Sequence, residues 1–136
     1  MISEKAKTEL VEVAKKNCEN AYAPYSNFPV GAALLLADDT IIDGINIENV
    51  SFGATNCAER TALFTAVTQG YKAGDFKAIA VAGETEEFLP PCSICRQVMI
   101  EFCDKSMPVI LTRQDGETKT VTLDDLVPFA FDSMDI

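Results

Sequence analysis

Apolar positions along this chain recur with two periods, and the alternation between them draws the fold. Ala6, Leu10, Val13 or Ala14, and Cys18 fall at three- and four-residue steps, one face of a helix capped by Ser3 and running to about Asn20. Residues 22–29 contain Pro24 and Pro29 and predict a stiff connector that cannot continue a helix. Residues 30–37 are a continuous apolar run, Asp38-Asp39 turns the chain, and 41–46 resume it, which predicts a hairpin of two central strands. A second helix starts near Asn56 or Cys57, carries Ala62, Leu63, Ala66 and Val67 on one stripe, and stops at Gly70.

Residues 76–82 are apolar except for Lys77, so they predict a strand buried on both faces. An acidic loop, 84–89, and Pro90-Pro91 lead into a third helix from 92 to about 103. Residues 108–112 and 118–122 form a second hairpin turning at Asp115-Gly116, followed by a short helix at 123–126 and a tail at 127–136. This order predicts an α/β fold, a three-layer α/β/α sandwich with a five-stranded mixed sheet, built as one domain over 1–136.

Composition narrows the class. With 136 residues, 48% of them apolar and 24% charged, the chain can bury a core and is not of the disordered type. Its net charge of −10 repels phosphate backbones, which argues against a nucleic-acid partner and for a small neutral ligand. No P-loop or dinucleotide fingerprint is present. No apolar run is long enough to span a bilayer, and Met1-Ile2-Ser3-Glu4-Lys5 lacks a signal peptide's apolar stretch, so a cytoplasmic protein without membrane partners is expected. Five cysteines, an odd number, suit metal binding in a reducing compartment better than a disulfide framework. Histidine is absent, which removes Ser-His-Asp and Cys-His catalysis and forces any transition-metal site onto sulfur.

The chemistry concentrates in Asn56-Cys57-Ala58-Glu59-Arg60 and Pro91-Cys92-Ser93-Ile94-Cys95-Arg96-Gln97. Cys92 and Cys95 form a C-x-x-C pair, able to grip one metal ion, and Cys57 supplies a third sulfur. Structural zinc sites close with four protein ligands, whereas catalytic ones keep a position for water. Three thiolates with a nearby carboxylate that is not a ligand, Glu59, make the recipe for a metal-activated water with a proton shuttle beside it. Cys57 and Cys92 would each open a helix, where unpaired N–H groups stabilise a thiolate. Three thiolates leave zinc with a net negative charge, so a cation must offset them; Arg60 and Arg96 are both placed to do so. A thioredoxin-type redox pair is the rival reading of C-x-x-C, but it leaves Cys57-Ala58-Glu59 unexplained. Asn46 and Glu48, two apart at a strand end, would face the same way and suit a sugar hydroxyl.

Three further stretches precede the paired cysteines: Ala23-Pro24-Tyr25-Ser26-Asn27-Phe28-Pro29-Val30-Gly31-Ala32-Ala33, Gly44-Ile45-Asn46-Ile47-Glu48-Asn49, and Cys57-Ala58-Glu59-Arg60-Thr61-Ala62. In this order, ahead of Pro91-Cys92-x-x-Cys95-Arg96-Gln97-Val98, they resemble the small homotetrameric cytidine deaminases from about Tyr22 to about Phe131. The resemblance implies a cytidine deaminase-like fold and one Zn2+ per subunit held by Cys57, Cys92 and Cys95. It implies Glu59 as the catalytic acid–base and Arg60 as the donor to the thiolates. Asn46 and Glu48 would hold the ribose 3′-hydroxyl, Phe28 would pack on the pyrimidine, and the backbone of Ala58 would bond the base. Phe131 would reach into a neighbouring subunit's site, with Phe129 competing for that assignment.

The implied activity is hydrolysis of cytidine, and of 2′-deoxycytidine, to the uridine nucleoside and ammonia, in pyrimidine salvage. A cytosine-bearing nucleoside antibiotic is the alternative substrate. A structural zinc module, its tetrahedron closed by Cys18 or Cys103, is the non-enzymatic alternative. Phe52 stands where tyrosine is frequent in the family, Ser93-Ile94 replaces Gly-Ala between the cysteines, and Phe129 replaces a customary glycine.

Overall fold

The computed structural model describes residues 2–135, so Met1 of the N-terminal segment and Ile136 of the tail lie outside the described residues. The elements follow the predicted order: α1 (Glu4–Asn17), β1 (Val30–Leu36), β2 (Ile41–Ile45), α2 (Ala58–Thr68), β3 (Phe76–Gly83), α3 (Ser93–Phe102), β4 (Pro108–Thr112), β5 (Thr118–Thr122) and α4 (Leu123–Leu126). Their order across the sheet is β2-β1-β3-β4-β5. The β3–β4 pair is parallel and the other pairs are antiparallel, so the sheet is mixed as expected.

Period-2 alternation divides the core into two layers. Ala33 and Leu35 of β1, Ala78, Ala80 and Ala82 of β3, and Ile110 of β4 pack with Leu10, Val11 and Ala14 of α1. On the opposite face Leu34, Leu36, Ile42, Ile79, Val109 and Leu111 pack with Ala62, Leu63 and Ala66 of α2 and with Cys95 and Met99 of α3. The run of alanines under α1 lets that helix approach closely. A Cβ at Gly31 would lie 2.0 Å from the Ala14 carbonyl oxygen, so only glycine fits there. Gly44 does the same on the other face, where a Cβ would lie 2.2 Å from the Ala58 carbonyl oxygen. That contact seats the first turn of α2 on β2.

Local signals set the element ends. Ser3 Oγ accepts from Ala6 N–H at 3.1 Å and caps α1. At the end of α2, Gly70 takes φ +100°, Tyr71 N–H donates to Ala66 O and Gly70 N–H to Val67 O, the paired bonds of a Schellman stop. The side of α1 that meets the sheet differs slightly from the predicted one: Leu10, Val11, Ala14 and Asn17 are buried, while Val13 and Cys18 are only half-buried. Asn17 is tolerated inside because its amide donates to Ala32 O at 2.9 Å and to Asp43 Oδ1 at 3.0 Å.

One expectation is corrected. The first hairpin does not hold two central strands: β1 is central, but β2 is the edge. Asp43, exposed between buried Ile42 and Gly44, marks a strand covered on one face only.

Candidate active site

Two helix N-termini converge on one cluster of sulfurs. Cys57 is the cap residue of α2 and Cys92 that of α3, each with extended backbone before the first helical turn. Cys95 stands three residues beyond Cys92, and its N–H reaches the Cys92 sulfur at 3.5 Å. A cap residue and the third helical residue of one helix thus aim both sulfurs off the same end, which is the local reason for the C-x-x-C spacing. The three Sγ atoms lie within 4.8 Å of one another, and those of Cys57 and Cys92 are 3.7 Å apart. A tetrahedron with metal–sulfur bonds of about 2.3 Å has edges of about 3.8 Å, so the cluster fits a zinc site. Cys18 and Cys103 do not join it. Cys18 Sγ donates to Ala82 O at 3.3 Å, and Cys103, buried at the far end of α3, has its thiol pushed up to about 12 by burial and then by Asp104.

Of the two candidate arginines, Arg60 faces the sulfurs. Its Nη2 donates to Cys57 Sγ at 3.2 Å and its Nε to Cys95 Sγ at 3.4 Å. Arg96 points elsewhere, donating to the carbonyls of Pro91 and Leu126. Hydrogen bonds from the Cys95 thiol first, then from Arg60 and Cys92, hold the Cys57 thiol well below its usual range against the opposing effect of burial. Cys95, which donates to Cys57 and is itself buried, is raised instead.

Glu59, the second residue of α2, is 4% exposed. Burial first, and then the negative charge on Cys57, push its carboxyl up to about 7. It lines a cavity of about 270 Å3 together with Cys57, Ala58, Cys92, Phe28, Asn46 and Glu48. Seven of the expected site residues thus meet in one pocket, with Cys95 and Arg60 behind it. Phe131 does not line its own chain's pocket; it is 62% exposed, and its carbonyl accepts from Gln97 Nε2 at 2.8 Å.

Glu48 sits at the other end of the cavity. Its Oε1 accepts from Tyr25 N–H at 2.9 Å and from Ser26 N–H at 3.0 Å, and its Oε2 meets the Ser26 hydroxyl. The Ser26 hydroxyl first, then the Ser26 and Tyr25 N–H groups, hold this carboxyl below the usual glutamate range. Asn46 is nearly buried and braces the wall: Oδ1 accepts from Val30 N–H at 2.9 Å, and Nδ2 donates to Phe28 O at 3.0 Å.

The family described as cytidine and deoxycytidylate deaminase zinc-binding region matches residues 4–111. A cytidine deaminase from Sporosarcina psychrophila is 52% identical over 128 residues, covering 94% of this chain and 93% of the relative. The crystal structure of cytidine deaminase from Burkholderia pseudomallei superposes with a TM-score of 0.89 at 50% identity, covering 96% of this chain and all of that one. This chain belongs to the cytidine deaminase family. A blasticidin-S deaminase from Bacillus cereus is more distant, 28% identical over 131 residues and covering 90% of each chain.

Within that family frame, the departures fall outside the pocket. Ser93 and Ile94 between the paired cysteines are both exposed, and neither lines the cavity. Phe52 is likewise exposed, on a short 3-10 turn (Phe52–Ala54). Phe129 adopts φ +55°, a left-handed conformation in which glycine is less strained, which gives the customary glycine its physical reason. Four further residues shape the pocket. Ser26, which the sequence offers only as part of the Pro24-Tyr25-Ser26 stretch, holds Glu48. Gly83 makes room for the pocket wall, since a Cβ there would lie 2.9 Å from Leu89 Cδ2 and 3.2 Å from Phe28 Cζ. Leu89, at the end of the acidic loop, and Pro90 after it supply apolar wall.

Proposed function

We propose that this chain deaminates cytidine hydrolytically to uridine and ammonia, with 2′-deoxycytidine as a second substrate, in cytoplasmic pyrimidine nucleoside salvage. The observation that carries the reading is a meeting at the floor of one pocket: three sulfurs able to hold one zinc ion, and a buried carboxyl poised near neutrality. The names of the relatives support the substrate, the higher identity belonging to a cytidine deaminase and the lower to an antibiotic deaminase.

Cys57, Cys92 and Cys95 would hold the zinc, three protein ligands leaving one position open. Zinc held there supplies a Lewis acid that brings the pKa of water near neutrality. Arg60, bonded to two of the three sulfurs, offsets their charge so that the Lewis acidity survives. Glu59, with a carboxyl near 7, can both accept and return a proton at neutral pH. It takes one from water as the oxygen adds to C4 of the base and delivers it to N3. It then takes the remaining proton of the new C4 hydroxyl and gives it to the amino nitrogen, which leaves as ammonia while the C4 carbonyl forms. One carboxyl suffices because these transfers follow one another.

Phe28 offers its ring to the pyrimidine, and the backbone at Ala58 bonds the base. Glu48, kept ionised by its three donors, accepts from the ribose 3′-hydroxyl beside Asn46. Two glutamates and no lysine or arginine line the cavity, which opposes a phosphorylated substrate. Among the described residues no helix is long and apolar enough to cross a membrane.

The working unit is one catalytic domain over 1–136, assembled as a homotetramer in which Phe131 enters a neighbour's site. Exposed Val50, Phe52, Ile94, Phe129 and Phe131 support such an assembly, because so many large apolar groups left in water call for a covering surface. Light scattering of the zinc-loaded protein tests it. An ultraviolet assay of that protein on cytidine, 2′-deoxycytidine and blasticidin S tests the reaction. Turnover of both cytosine nucleosides is expected; turnover of the antibiotic alone would overturn the reading.

A further inference from the structure

Of the three candidate ligands, Cys92 has the least support. It is the exposed one, it ends a loop that Pro90 and Pro91 enter without N–H groups of their own, and Arg60 bonds Cys57 and Cys95 but not Cys92. What fixes the Cys92 backbone is Arg96, one helical turn further along α3. Its Nε donates to Pro91 O at 2.8 Å and its Nη1 to Leu126 O at 3.0 Å. Pro91 is buried, so its carbonyl needs a donor. Leu126 is the last residue of α4, where carbonyls lack helical partners. One planar guanidinium therefore satisfies two otherwise stranded acceptors on separate segments. The next residue, Gln97, donates to Phe131 O at 2.8 Å. The first turns of α3 thus present two sulfurs to the site and two donors to the C-terminal segment.

We propose that Arg96 is a positioning residue that ties Cys92 to the end of α4, so that metal retention at the sulfurs and docking of residues 126–131 stabilise each other. The inference rests on the reading of the three sulfurs as a zinc site. The fork geometry is what the role requires. Lysine keeps the charge, but its donors rotate on one compact nitrogen and cannot hold two carbonyls in fixed directions. Coupling of this kind is reciprocal, so loss of the metal must loosen the tail just as loss of the brace must loosen the metal.

The experiment uses full-length, zinc-loaded protein. Zinc release to an excess of a chelating chromophore is followed for wild type, Arg96→Lys, Arg96→Gln and Gln97→Ala. Losing a bond from a charged donor to a buried carbonyl predicts release about tenfold faster for Arg96→Gln, and an intermediate rate for Arg96→Lys. Gln97→Ala, which loosens the tail but leaves Pro91 O bonded, speeds release by less than Arg96→Gln does, about twofold to threefold; release unchanged while tail exchange rises would overturn the coupling. Hydrogen exchange across 126–131 rises in zinc-loaded Arg96→Gln, and also in wild type when zinc is withdrawn.

A folded Arg96→Gln that releases zinc at the wild-type rate, even with a lowered melting temperature, overturns the proposal by showing a merely structural role. So does unchanged exchange in the wild-type tail on zinc removal, a measurement that stands even where Arg96→Gln fails to fold. Wild type that takes up no zinc sinks the site reading itself, which separates the two failures.

Discussion

The two glutamates of the pocket have the same side chain and opposite environments. Glu59 is buried beside thiolate sulfur, and its carboxyl rises to about 7. Glu48, half-buried in the cavity wall, accepts from the Ser26 hydroxyl and from two backbone N–H groups, and its carboxyl is lowered. Desolvation penalises charge where donors are too few to offset burial, and donors reward charge where water also reaches it. The first is suited to the proposed role of proton carrier and the second to that of a fixed acceptor. Pairs driven apart in this way identify the acid–base group of a site.

The comparison can be broken at several points. The largest effect is expected from Glu59→Gln, which keeps the shape and removes the proton carrier. Turnover of cytidine falls by about a thousandfold, while zinc content by atomic absorption is unchanged. Next comes pH. The folded carboxyl of Glu59 lies above its unfolded value near 4.5, so its favourable contribution is full below that value and is lost as pH rises through about 7. Urea melts of metal-free wild type and Glu59→Gln across this window should diverge by on the order of 3 kcal/mol, wild type losing ground at the higher pH. Glu48 has the opposite sign: its contribution is present above its unfolded value and is lost as pH falls through its lowered one.

Glu48→Gln should then cost about tenfold to a hundredfold in kcat/KM, mostly through KM, because it weakens ground-state binding of a hydroxyl. Equal losses in kcat would move Glu48 into the chemistry and blur the contrast. The smallest change is Ser26→Ala. It removes one of three donors and should raise the Glu48 carboxyl, weakening cytidine binding by about fivefold. Kinetics at two pH values check it.

Much of this was legible in one chain of residues. The α1 periodicity, the apolar run of β3 and the Gly70 stop encode local structure directly, because each depends on neighbours a few positions away. The three cysteines were legible for a chemical reason: without histidine, sulfur is the obvious way to hold a transition metal. The edge position of β2 was less so, since strand order is set by partners distant in sequence; Asp43 was the available clue. The resemblance pointed to Arg60, but the residues alone left Arg60 and Arg96 open, because the choice depends on where two helix ends point relative to each other. Ser26 and Gly83 act through residues 22 and 55 positions away, Glu48 and Phe28, so spacing carries no trace of them.

The central claim is that three sulfurs hold one zinc ion and leave a position open. X-ray absorption at the zinc edge of the loaded protein tests it most directly. The account predicts three sulfur scatterers at about 2.3 Å and one oxygen at about 2.0 Å. A shell of four sulfurs, with no oxygen, would contradict it.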